Sequence, residues 1–286
     1  MNKEHEKRVC HAALDFIVKR KKIVVEKVEY PDEKERRKQA VDVLVKSSSG
    51  EIVLEHTRIE SYTKQIEDWS QIWKLLKPFE AKLEGKLPTP GYYNLSVDVK
   101  ATKGAKSTKR IQKALIKWIR EKAPLLQLGC PEVAPAHCII ETPDGVPFQV
   151  TLCRWPGNNG KFSISEHTPD NLEEMRKERI KEALNEKCPK LLKAKEGYRN
   201  SLLLLELNDI SLGNYKDVGK TVKEELRFRN DSPDDIYLVR TELRQWRLWI
   251  LKEGSLIFRD VNEAGPYYLD SVCYESCFGN GGITAG

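Results

Sequence analysis

The stretch from Ala40 to Thr57, Ala-Val-Asp-Val-Leu-Val-Lys-Ser-Ser-Ser-Gly-Glu-Ile-Val-Leu-Glu-His-Thr, most constrains what this chain can fold into. Two short apolar runs, each carrying one acid, flank a polar turn that ends in glycine, which is the pattern of a β-hairpin. With Ser47 to Gly50 as the loop, Lys46 pairs with Glu51, and the same register carried outward sets Asp42 opposite Glu55. Directly opposed residues share a sheet face with Cβ atoms about 5 Å apart, where like charges are unfavourable. The register therefore predicts a cationic group between the two carboxylates. Apart from Asp42 the first strand is apolar on both faces, and an unpaired buried charge is costly.

The rest of the chain alternates period around this hairpin. Val9, Ala13, Phe16 and Ile17 predict a first helix over 4–20, with Glu6 on the same face, and Ile23 to Glu29 a first strand. After the hairpin, Ile66, Trp69, Ile72, Trp73, Leu76, Phe79 and Leu83 fall on one stripe of a long helix that Gly85, Pro88 and Pro90 terminate. A strand over Tyr92 to Val99 follows, then a helix capped by Ser107, then two or three strands in 137–165 with a hairpin turned at Pro156 to Gly160. Thr168-Pro169 opens a helix to Ala194 whose mixed Glu and Lys content suggests a wet surface. Ser201 to Leu207, a helix over Val218 to Phe228 and Ile236 to Arg240 read as strand, helix, strand with parallel pairing. A last hairpin turns at Glu253-Gly254. These elements predict an α/β fold, a mixed sheet flanked by helices. The expected layout is one domain over 1–286: a core in 1–125, a β-rich insertion in 126–168, and a C-terminal half in 169–286 that completes the sheet.

Charged residues make up 32% of the chain and the net charge is +6, which favours a polyanionic partner where the basic residues cluster. They cluster after Lys100. Lys109, Lys113, Lys117 and Arg120, spaced by four, four and three, form a row on the outer face of one helix, either a solvated face or a run of phosphate contacts. Trp246 and Trp249 read as strand residues. Seven scattered cysteines suit reduced thiols in a cytoplasmic protein, and neither Cys273-x-x-x-Cys277 nor His137-Cys138 has zinc-site spacing. No run approaches the roughly 18 apolar residues of a membrane span, so no membrane partner is expected.

Two carboxylates held side by side on rigid strands supply hard oxygen ligands for Mg²⁺ or Mn²⁺, with positions open for water and phosphate oxygens. Helix, strand, a hairpin bearing Asp and then Glu-X-Lys, and helix is the layout of the PD-(D/E)XK, or restriction-endonuclease-like, superfamily, which residues 4–85 resemble. The resemblance implies that Asp42 and Glu55 hold the ion, that Glu6 is a further, helix-borne ligand, and that the chain hydrolyses phosphodiesters of DNA, or else of RNA. In place of the family lysine stands Thr57, which carries no charge. Lys64, at the start of the following helix, is the expected substitute, ahead of Arg58 and His56. A catalytically inactive relative, binding nucleic acid or serving as an assembly subunit, is the alternative that Thr57 favours. A homodimer stays open.

Overall fold

The computed structural model describes residues 3–31, 40–62, 64–98, 101, 108–128, 137–157, 160–167, 171–195, 199–208, 214–242, 244–258 and 260–269. The expected caps Ser107 and Thr168-Pro169, the tail after Gly279, and Cys130, Cys273 and Cys277 lie outside them. The class is α/β, as expected, but the chain divides into two compact units. One comprises Met1–Tyr62 with Glu173–Gly286, the other Thr63–Leu172. The excursion out of the first unit thus begins directly after the hairpin, and the expected boundary at 125/126 falls inside the second unit.

In the first unit, α1 (Lys3–Lys21) precedes β1 (Val25–Glu29) and the hairpin strands β2 (Val43–Ser47) and β3 (Gly50–Arg58). The hairpin has the expected register: Lys46 pairs with Glu51 and Val43 with Leu54. The chain re-enters with α4 (Leu172–Ala194), followed by β8 (Arg199–Leu207), α5 (Tyr215–Leu226), β9 (Asp235–Arg240), β10 (Trp246–Glu253), β11 (Leu256–Ile257) and β12 (Tyr267–Leu269). These make an eight-stranded sheet in the order β1-β2-β3-β8-β9-β10-β11, with β12 also on β10. β3–β8 and β8–β9 are parallel and the other pairs antiparallel.

Both faces of this sheet are covered, which is why Leu202 to Leu205 is continuously apolar rather than alternating. Val9, Ala13, Leu14 and Ile17 of α1 pack on Val43, Val45, Ile52, Leu54, Leu202 and Leu204. Glu4 and Glu6 in its first turn, and Lys19, Arg20 and Lys21 in its last, complement the helix dipole. The opposite face takes Ile180, Leu184, Cys188 and Leu191 of α4 and Val218, Val222 and Leu226 of α5. Asn214 caps α5 by accepting the Lys216 N–H at 3.1 Å. The helix expected to be mostly wet, α4, is therefore the crossover between β3 and β8. Its stripe of four inward apolar residues suffices to seat it, although most of its other positions are charged.

In the second unit, β4 (Tyr92–Asp98), β5 (His137–Glu141), β6 (Val150–Trp155) and β7 (Phe162–His167) form a sheet ordered β5-β6-β4-β7. β6 and β7 do not make the expected hairpin, because β4 lies between them and pairs with both. The unit's helices are α2 (Gln65–Leu83) and α3 (Thr108–Lys122), joined by Gln112 Nε2 donating to Leu75 O at 2.8 Å. On α2 the inward stripe is Ile72, Leu75, Leu76, Phe79 and Leu83, whereas Trp69 and Trp73 stack on each other half-buried. Cys138 and Cys153, opposite each other on β5 and β6, form a disulfide, so the expectation of uniformly reduced thiols does not hold for this pair. No described helix is long and apolar enough to cross a membrane.

Candidate active site

Strand alternation decides what each residue near the acids faces. On β3, Ile52 and Leu54 point to α1 and Val53 points to α4. Glu55 accordingly faces α4 and His56 faces α1. Asp42 stands one residue before β2, half-buried. Its N–H donates to Glu55 Oε1 at 3.3 Å, and its Oδ2 accepts the His56 N–H at 2.7 Å. The two acids expected to be cross-strand neighbours are thus tied together across the hairpin.

The cation that the register demanded comes from α4. Lys190 Nζ lies 2.6 Å from Glu55 Oε1, and Lys187 Nζ lies 3.1 Å from Oε2. Glu55 itself is completely buried. Oε2 receives no hydrogen bond of proper geometry, so its attraction to Lys187 is mainly electrostatic. Burial raises the pKa of both carboxyls, and Asp42 adds to the rise at Glu55, while the two lysines oppose it. Lys187 is pushed upward in turn: burial disfavours its charge, but Glu55 and then Asp42 outweigh that. Pro189 lies inside α4 between the two lysines, so that turn lacks one backbone donor.

A second charged cluster occupies the α1 face. Glu206 of β8, also fully buried, takes His56 Nε2 at 3.0 Å, His5 Nε2 at 2.7 Å, Thr241 Oγ1 at 2.5 Å and Arg58 Nε at 3.5 Å. Burial opposes its charge, but the hydrogen bonds from His5 and His56 hold it far below the usual carboxylate range. His56 is likewise penalised by burial, yet Glu206 and Glu6 raise its pKa to about 9. Glu6 Oε1 lies 3.9 Å from His56 Nδ1, an ion-pair separation, and the imidazolium beside it lowers the Glu6 pKa.

The expected site residues come together only in part, Glu6 lining one cleft with Asp42 while Lys64 lies in the second unit. Asp42 and Glu55 come together. Glu6 faces His56, and among the described residues no group of three or more His, Cys, Asp or Glu is placed to hold a metal ion. Thr57 sits in register with Leu205, two positions beyond Glu55 on the same face. Lys64, expected to reach back, occupies the N-cap of α2 in the second unit, 61% exposed and 3.9 Å from Glu67. Lys109, Lys113, Lys117 and Arg120 are all exposed on α3, with Lys117 3.8 Å from Glu121. Trp246 and Trp249 are buried strand residues.

Sequence reasoning missed Lys187, Lys190 and Glu206. Their signals were present as mismatches: Lys187 lies three residues after Leu184 and seven after Ile180, within the apolar stripe, and Glu206 interrupts a run of leucines. Comparison with protein-family models, with curated proteins and with solved structures gives no match.

Proposed function

We propose that this chain is a metal-dependent nuclease of the PD-(D/E)XK kind, cytoplasmic and acting on DNA in preference to RNA. The observation that carries the reading is the pair of α4 ammoniums on Glu55 beside Asp42. They supply the positive charge that Thr57 cannot. The order helix, three strands, crossover helix, parallel strand (α1-β1-β2-β3-α4-β8) supports it too, because it lays both lysines of α4 over the stretch of sheet that carries both acids.

The donor set suits Mg²⁺ or Mn²⁺. Two hard carboxylates are what such ions take from a protein when substrate phosphate and water complete the shell, and buried Glu55 Oε2 accepts no hydrogen bond. Asp42 and Glu55 would hold the ion, which when bound activates water and polarises the scissile phosphate. The protein's own part is electrostatic. The His56 N–H orients Asp42, the Asp42 N–H orients Glu55, and Lys187 and Lys190 place two fixed positive charges where negative charge develops. Sheet and helix hold these groups in place before substrate arrives.

A second reading has one specific observation in its favour: both Glu55 oxygens already face ammoniums, as in a site that keeps its fold without turnover. A supercoiled-plasmid assay with Mg²⁺ or Mn²⁺ separates the two. The nuclease reading expects cutting by wild type and loss in Asp42→Asn and Glu55→Gln. Cutting that persists in both variants removes the site assignment, and a wild type that cuts neither DNA nor RNA leaves the binding or assembly reading.

A further inference from the structure

Along one side of α5 runs an open groove of about 410 Å³, within the size range of ligand sites. Lys216, Lys220 and Lys223 line it from the helix and Arg227 from the helix C-cap, while Asp260 and Val261 form the facing wall. Spacings of four, three and four keep the cations in one row along about 16 Å of helix. Gly219 sets how closely the facing wall approaches, since a Cβ there would meet Val261 Cγ2 at 2.1 Å. Among the described residues, none of the four cations has an ion-pair partner within 4 Å. Lys223 is half-buried, and burial lowers its pKa although Asp260 and then Glu263 oppose the shift. The acids of the groove are engaged elsewhere: Asp217 Oδ2 accepts from Arg176 Nη1 at 3.3 Å, Asp260 Oδ1 accepts the Asn262 N–H at 2.7 Å, and Glu224 also acts on the Lys177 ammonium of α4. With Arg176 included, five cations stand against three acids.

This lining selects among ligands. A single small anion engages one or two of the four cations and leaves the others as they were. An unpaired base finds no stacking partner, because none of the described lining residues is aromatic. A row of cations fits an extended ligand whose charge recurs at short intervals, and the backbone of duplex DNA, with one charge per 3.4 Å of axis on each strand, is such a ligand. We infer that the α5 groove holds duplex DNA by its phosphates, fixing the position of the duplex without reading its bases. The choice of DNA as the occupant rests on the nuclease reading, for which the groove names a surface that carries the substrate.

The test is fluorescence anisotropy of a fluorescein-labelled DNA duplex of about twenty base pairs with the full-length protein in EDTA, over a range of salt concentrations. Wild type is expected to bind. Lys216→Gln/Lys220→Gln and Lys223→Gln/Arg227→Gln, each checked for folding by circular dichroism, should bind at least fivefold more weakly, with a salt slope smaller by about 1.8, the value for two B-DNA phosphate contacts. Lys74→Gln/Lys77→Gln takes the same charge from exposed positions of α2 and should stay within twofold of wild type. Absence of wild-type binding, groove variants within twofold of wild type at an unchanged slope, or an α2 variant as weak as they are overturns the inference. Displacement of the duplex by polyglutamate at equal charge concentration assigns the groove to an acidic protein segment and overturns it too. Because no metal is present, the outcome is independent of cutting. Binding that depends on the α5 cations in a protein that never cuts keeps the groove and removes the nuclease, and cutting with groove-independent binding does the reverse.

Discussion

Lys190 of α4 holds its ammonium 2.6 Å from Glu55 of β3, across the whole of the second unit in sequence. Glu55 is fully buried and Lys187 and Lys190 are nearly so, with 15% and 19% of their side chains exposed. Removing both cations strands a carboxylate in the core. Lys187→Met/Lys190→Met should cost about 3 to 5 kcal/mol in urea unfolding, and each single variant less, because one ammonium remains. Adding Glu55→Gln to the double variant should recover much of the loss. A double variant as stable as wild type would show that the pairing does not form.

The His56–Glu206 couple sets a pH dependence whose sign follows from its two shifts. His56 is raised from 6.5 to about 9, so its contribution is complete below pH 6.5 and disappears as pH rises through 9. Glu206 is lowered, so its contribution is present above 4.5 and disappears as pH falls through its depressed value. The couple's contribution should be flat between about pH 5 and 6.5 and decline by about 3 kcal/mol on the alkaline side. Thermal midpoints recorded from pH 5 to 10 check this. His56→Gln should abolish the alkaline decline, and an unchanged decline would assign it elsewhere.

Gly219 lies within α5, where helix propensity alone favours alanine by roughly 0.8–1 kcal/mol. A Cβ there would come within 2.1 Å of Val261 Cγ2. Close packing should win, with Gly219→Ala destabilising by about 1–3 kcal/mol. Trimming the neighbour, as Gly219→Ala/Val261→Ala, should lessen the added cost of the glycine change. Chemical denaturation decides it by the sign alone.

Cys138 and Cys153 close a loop with a sequence separation of 15. Loops of that size contribute about 3 kcal/mol through the unfolded chain. Reduction should therefore lower the stability of the second unit by that order, and Cys153→Ser should do so without reductant. Intact mass after alkylation under denaturing, non-reducing conditions reads the bond directly, and uptake of label at both positions would rule it out.

The hairpin was legible in the sequence because its side-chain period and its turn agree, and with both fixed the Lys46–Glu51 pairing leaves Asp42 and Glu55 no other arrangement. The parallel β8–β9 unit was legible for a similar reason, since a continuous leucine run, a helix and a second apolar run admit few topologies. The crossover partner of β3 was not. Proximity in sequence favours α2, and its aromatic stripe is stronger than that of α4, yet α2 spends its stripe in the second unit's own core. The same displacement hid the lysines. Lys64 is near Glu55 along the chain, whereas Lys187 and Lys190 are near it only once β3 has paired with β8.

The excursion through the second unit also fixes the order in which the molecule is born. During synthesis at about 5–20 residues per second, Lys190 leaves the ribosome roughly 7 to 27 seconds after Glu55. For that interval the nascent hairpin carries two acids with no α4 ammonium to neutralise them and no β8 on its open edge. The second unit, emerging meanwhile as one uninterrupted stretch of chain, is free to fold first. A half-made chain thus has the acids without their counter-charge, and the site is assembled only when its last elements arrive.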